Sequence, residues 1–155
     1  MTQTKVNSRD PKYLHDAIEK QAIKAIAEMD SYLKSKFNKD LSVRFISTYR
    51  SQAMQDELYA QGRTKPGNKV TWVRTSAHNT DLPETVDGDA EAFDIGIFLN
   101  VNGKDTYLTG NQQWEVKLYK ECGAIGEKYG FVWGGRWEKG TDMPHFERKN
   151  WRTAK

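Results

Sequence analysis

The stretch AFDIGIFLNVNGKDTYL, Ala92–Leu108, decides how this chain folds. In a strand, alternate side chains share a face. Phe93, Ile95, Ile97 and Leu99 then fill one face, and Asp94, Gly96 and Phe98 lie on the other. Asn102-Gly103 is a strong hairpin signal, which makes Lys104–Leu108 the return strand. Asp94 is the anomaly. A carboxylate in the middle of an apolar strand is costly unless it is paired or holds a cation.

Upstream, residues 1–10 read as a polar arm. From Pro11, the residues Leu14, Ile18, Ala22, Ala25, Met29 and Leu33 recur at helical spacing. Asp10 is the expected N-cap and Pro11 the first helical position. His15 on this helix reads as a surface or satisfied histidine. Leu41, Val43 and Phe45 alternate, giving a strand over 41–48. Ser51 caps a short helix carrying Met54 and Leu58, which stops at Gly62. Residues 63–75 form a loop with a short strand around Val70–Val73. Residues 79–91 form an acidic surface loop with Asp81, Glu84, Asp87, Asp89 and Glu91. It lacks the ligand spacing of an EF-hand, so a solvated loop is favoured over a second cation site.

Downstream, Trp114, Leu118, Cys122, Ile125 and Tyr129 mark a second amphipathic helix. Cys122 falls on its apolar face and is a packing residue; as the single cysteine it excludes an internal disulfide. Gly123 and Gly126 let this helix approach another element closely. Phe131–Trp133 and Met143–Arg148 close the sheet as a hairpin. The fold class is α+β: one small domain over 1–155, with helices packed on a mainly antiparallel sheet.

Partners for Asp94 lie on either side of it. Ser76-Ala77-His78-Asn79 supplies one histidine, and WGGRWEKGTDMPHFE, Trp133–Glu147, supplies another. In the strand around His145, Met143, His145 and Glu147 share a face, and Asp142 sits in the entering turn. His78, Asp94 and His145 form a set of N and O donors suited to one zinc ion with a position left for water. Asp142 is then placed to move a proton, and Glu147 to orient a ligand or act as the base. Arg50 follows the 41–48 strand and can steady a developing oxyanion. The plainer readings stay open: Arg50 as a surface charge, and Trp133 and Trp137 as core or edge aromatics.

The totals narrow the partners. A net charge of +3 is too small to argue for nucleic acid, but it suits approach to an anionic wall polymer. No apolar run is long enough for membrane insertion. The N-terminal MTQTKVNSRD has no apolar core of a secretory signal, so synthesis in a cytoplasm is expected.

Taken together, Ser76-x-His78, Ala92-x-Asp94 and Asp142-x-Pro144-His145-Phe146-Glu147 resemble the zinc D,D-carboxypeptidase (VanY-like) superfamily. Within it, the chain is similar to phage and bacterial L-alanyl-D-glutamate endopeptidases (endolysins). The segment from Thr48-Tyr49-Arg50-Ser51 through Leu58-Tyr59-Ala60-Gln61-Gly62-Arg63-Thr64 carries that finer resemblance, with the Ser8-Arg9 start and Trp133-Gly134-Gly135 in support. The resemblance implies a Hedgehog/D-Ala-D-Ala-peptidase-like fold, with zinc held by His78, Asp94 and His145. It makes Asp142 the acid/base and Arg50 the substrate-stabilising residue. Ser76, Glu147 and Trp133 become supporting or substrate-binding neighbours. The implied activity is cleavage between L-Ala and D-Glu of peptidoglycan by a monomer, and a holin-type partner would give access to the wall. D-Ala–D-Ala carboxypeptidase activity, or a non-catalytic wall-binding module, are the alternatives. One departure is the sixteen-position step from His78 to Asp94, filled by the acidic loop. It reads as an insertion, with Asp89 a weaker rival ligand.

Overall fold

A computed structural model describes residues 7–71, 73, 76–79 and 90–151. A 3-10 turn at Pro11–Tyr13 precedes α1 (Asp16–Lys36), β1 (Leu41–Ser47) and α2 (Gln52–Ala60). Then come β2 (Ala92–Val101), β3 (Lys104–Leu108), α3 (Gln113–Lys128), β4 (Phe131–Trp133), a 3-10 turn at Gly134–Arg136 and β5 (His145–Arg148).

β2 is the central strand, and all its pairings are antiparallel. β1 runs along one edge, matching Leu41 to Leu99 and Ser47 to Asp94. The other edge takes β5 at residues 92–94 and β3 at residues 97–101. β4 extends the sheet beyond β5. The β2–β3 hairpin turns on Asn102 and Gly103, both at positive φ (53° and 81°), as a tight hairpin matched to strand twist requires.

Alternation then sorts the side chains. Phe93, Ile95 and Ile97 are fully buried under the helices, together with Ala22, Ala25, Met29 and Leu33 of α1 and Cys122 of α3. Phe93 stacks on Phe146 at 5.3 Å and meets Phe131 edge-on at 5.0 Å, tying β2 to β5 and β4. α3 comes close because Gly123 faces the Trp133 ring and Gly126 faces Phe146; a methyl at either glycine would collide with the ring.

Four expectations need correction. The first helix does not start at Pro11. Asp10 caps the 3-10 turn, and α1 begins at Asp16 with the His15 ring Nδ1 accepting from the Ala17 amide at 3.0 Å. Leu14 turns the chain between the two pieces and is fully buried. The described residues 70, 71 and 73 form no strand, because hydrogen bonds from the α2 region hold them as a loop. Asn7–Asp10 is not a free arm: Ser8 donates to the Tyr49 carbonyl and receives the Thr48 amide. Trp133 is a core residue; its indole donates to the Met143 carbonyl at 2.7 Å. Most of the acidic loop, including Asp81, Glu84, Asp87 and Asp89, lies outside the described residues. Of its five carboxylates, only Glu91 is described, and it faces Arg148 at 3.4 Å.

Candidate metal centre

The face of β2 turned away from the helices carries Asp94, and two histidines reach it from different parts of the chain. His145 arrives by register, because it is paired directly with Asp94 across β2 and β5. His78 arrives on the short 76–79 segment, which is fastened to the end of β1. There Arg50 N donates to the His78 carbonyl, Asn79 Nδ2 donates to the Arg50 carbonyl at 2.6 Å, and Ala77 receives the Glu91 amide. Ser76 supports this turn: its Oγ accepts from the His78 amide at 3.2 Å.

Asp94 Oδ1 lies 3.2 Å from His78 Nε2 and 3.1 Å from His145 Nδ1. One ligand atom from each of the three residues falls within 4.8 Å of the others. Donor atoms around a tetrahedral zinc ion stand about 3.3 Å apart, given bonds of about 2.0–2.1 Å. The donor set therefore fits a single divalent cation.

Each ring is also held from behind. His78 Nδ1 is 2.7 Å from the Thr48 carbonyl, which can only accept, so that nitrogen carries the proton and Nε2 is left facing Asp94. His145 Nε2 is 2.8 Å from Glu147 Oε1, which leaves Nδ1 toward Asp94. An imidazole fixed by an outer acceptor is the usual supporting arrangement of a metal ligand.

The three groups are also strongly coupled in charge. Burial works to raise the Asp94 carboxyl, but the His78 charge and hydrogen bonds from both rings outweigh it and hold the group well below the usual carboxylate range. Burial works to lower His145, yet bonds to Asp94 and Glu147 prevail and push it up to about 10. Asp142 stands 4.0 Å from His145, with its side chain 47% exposed toward the cleft. Desolvation against the cleft wall raises its carboxyl, and the Asp94 charge adds to that. Gly134 holds the Asp142 turn, because its carbonyl accepts the Asp142 amide at 3.0 Å.

These groups open onto a cleft of about 720 Å³ shared by Arg50, Trp137, Lys139 and Trp151. Of Trp133 and Trp137, it is Trp137 that lies at the site, with its ring 5.1 Å from that of His145. Their spacing in sequence gave no means of separating them. The Thr48 carbonyl was equally invisible, since any residue type supplies a carbonyl.

Two buried imidazoles and a partly buried carboxylate, with Asp142 beside them and an open cleft in front, make up a donor set of the metallohydrolase type. Comparison with known proteins gives the family. A family profile described as D-alanyl-D-alanine carboxypeptidase (peptidase M15) matches residues 90–148. The chain is 34% identical over 144 residues to the peptidoglycan L-alanyl-D-glutamate endopeptidase CwlK of Bacillus subtilis (strain 168), covering 88% of this chain and 74% of that one. The solved L-Ala D-Glu endopeptidase ChiX of Serratia marcescens shares the fold, with a TM-score of 0.55 at 17% identity over 89% of this chain and 82% of that one. The chain belongs to the M15 peptidase family. Among the described residues, no helix is long and apolar enough to cross a membrane.

Proposed function

We propose that the protein is a zinc peptidase that hydrolyses the L-Ala–D-Glu bond of peptidoglycan stem peptides. The observation that carries this reading is the convergence of His78 Nε2, Asp94 Oδ1 and His145 Nδ1, with each ring locked from behind. His78, Asp94 and His145 hold the ion. When bound, a zinc ion there supplies Lewis acidity, polarising the scissile carbonyl and easing deprotonation of water. Asp142 takes the proton of the attacking water and passes it to the leaving amine. Arg50 supports negative charge on the carbonyl oxygen. Glu147 keeps His145 in the ligating orientation.

The choice of bond follows the relative CwlK and the resemblance of the 48–64 segment. The resemblance of that segment is also the ground for reading the protein as a phage-type endolysin acting in host lysis; a monomer that reaches the wall with a holin-type partner belongs to that same reading. The whole chain serves as one catalytic domain. A second reading comes from the family description over residues 90–148, namely removal of terminal D-Ala. Digestion of purified peptidoglycan with and without a chelator separates the two. New L-Ala carboxyl and D-Glu amino termini, lost with chelator and restored by zinc, are expected; free D-Ala would favour the carboxypeptidase. Binding to wall with no new termini would leave only a wall-binding module.

A further inference from the structure

We infer that Gln55 is a positioning residue, which holds the Arg50 guanidinium at the cleft and fastens the wall segment beside it. The inference rests on the peptidase reading above. α2 buries one residue, and it is this amide rather than Met54 or Leu58. A buried amide is costly unless its hydrogen bonds are made. Here they are. Gln55 Oε1 accepts from Arg50 Nη1 at 2.8 Å, while Nε2 donates to the Val73 carbonyl at 2.7 Å and to Thr71 Oγ1 at 3.2 Å. The amide has one workable orientation, because flipping it sets donor against donor at Arg50 and acceptor against acceptor at Val73.

Both ends of this link face the cleft. Arg50, Thr71 and Val73 line it together with His78, Asp94 and Asp142. Arg50 Nε is buried with no hydrogen-bond partner among the described residues, so the side chain is held chiefly through Nη1. The chemistry of the partner matters. A carboxylate at position 55 would pin Arg50 equally well, but it would neutralise the guanidinium and could not donate to Val73. An amide fixes the cation and leaves its charge available to a developing oxyanion, where preorganised donors act most strongly.

The test is a double-mutant cycle on a purified muropeptide, joined to ¹⁵N NMR of the Arg50 Nε–H. Gln55→Leu is expected to lower kcat about a hundredfold, the scale of a misplaced catalytic contact. KM and bound zinc should change little. Added to Arg50→Ala, it should slow the enzyme no further, because both changes remove the same contribution. Equal slowing in both backgrounds would overturn the inference. The Arg50 Nε–H signal should be sharp and slow to exchange in the wild type, and broadened in Gln55→Leu. An unchanged signal would overturn the positioning role whatever the enzyme cleaves. Gln55→Glu covers a failure of the Leu variant to fold. It should keep the Arg50 signal yet lose rate, and wild-type turnover in it would sink the argument for a neutral amide. If the wild type exposes no L-Ala and D-Glu termini, the proposed function fails, while the NMR result still decides whether Gln55 holds Arg50.

Discussion

The two faces of β2 are built from alternate residues of one segment, yet they answer to different forces. On the helix side, Phe93, Ile95 and Ile97 are buried against α1 and α3, where volume and shape decide the outcome. On the other side, Asp94 faces two imidazoles at 3.1–3.2 Å, where atom identity and charge decide it. A carboxylate tolerated on the second face would be ruinous on the first. The lesson is that stability and chemistry are separable here, because a strand passes them to opposite sides of the sheet.

Breaking the polar face should leave the apolar one standing. His145→Ala is expected to abolish both zinc binding and wall hydrolysis, with the far-UV circular dichroism retained. Metal analysis after dialysis checks this, and full zinc occupancy would remove His145 from the ligand set. Asp142→Ala should keep the zinc and lose about 10²- to 10⁴-fold in turnover, the usual range for a general acid–base. Lytic activity near wild type in that variant would exclude Asp142 from the reaction.

Breaking the apolar face should do the reverse. Phe93→Ala removes a ring that stacks on Phe146 and meets Phe131, and should cost about 3–5 kcal/mol in denaturant unfolding. The ligand atoms themselves are untouched by the change. Two smaller effects sharpen the contrast. Glu147→Gln weakens the acceptor behind His145 and should reduce zinc affinity about 10- to 100-fold by competition with a chelating dye. Gly126→Ala drives a methyl into the Phe146 ring and should destabilise by about 1–3 kcal/mol, offset by at most about 1 kcal/mol of helix propensity. A neutral result would show that α3 can shift off the sheet.

Much of this was legible before any coordinates. Period-two alternation assigned faces correctly in 92–99 and 145–148, because a strand leaves side chains no other choice. It failed at Met143, which lies in the turn before the strand and packs against the core rather than beside His145. Helical spacing located both long helices and set Cys122 in the core. The errors came where local signals compete. Asp10-Pro11 is a sound helix start, and a 3-10 turn uses the same signal. Trp133 and Trp137 stand four residues apart, and only the 3-10 turn between them sends one to the core and the other to the cleft.

The sequence by itself determined the α+β pattern, the hairpin at Asn102-Gly103 and the three residues able to grip a cation. Those features depend on periodicity, turn chemistry and donor type, which are local properties. Only the tertiary structure decided that Asp94 meets His145 in register and that the Thr48 carbonyl turns the His78 ring. It also decided that the buried amide of Gln55 ties Arg50 to the loop at Thr71 and Val73. Distances between remote segments depend on how strands pair and helices pack, and no single stretch of chain encodes them.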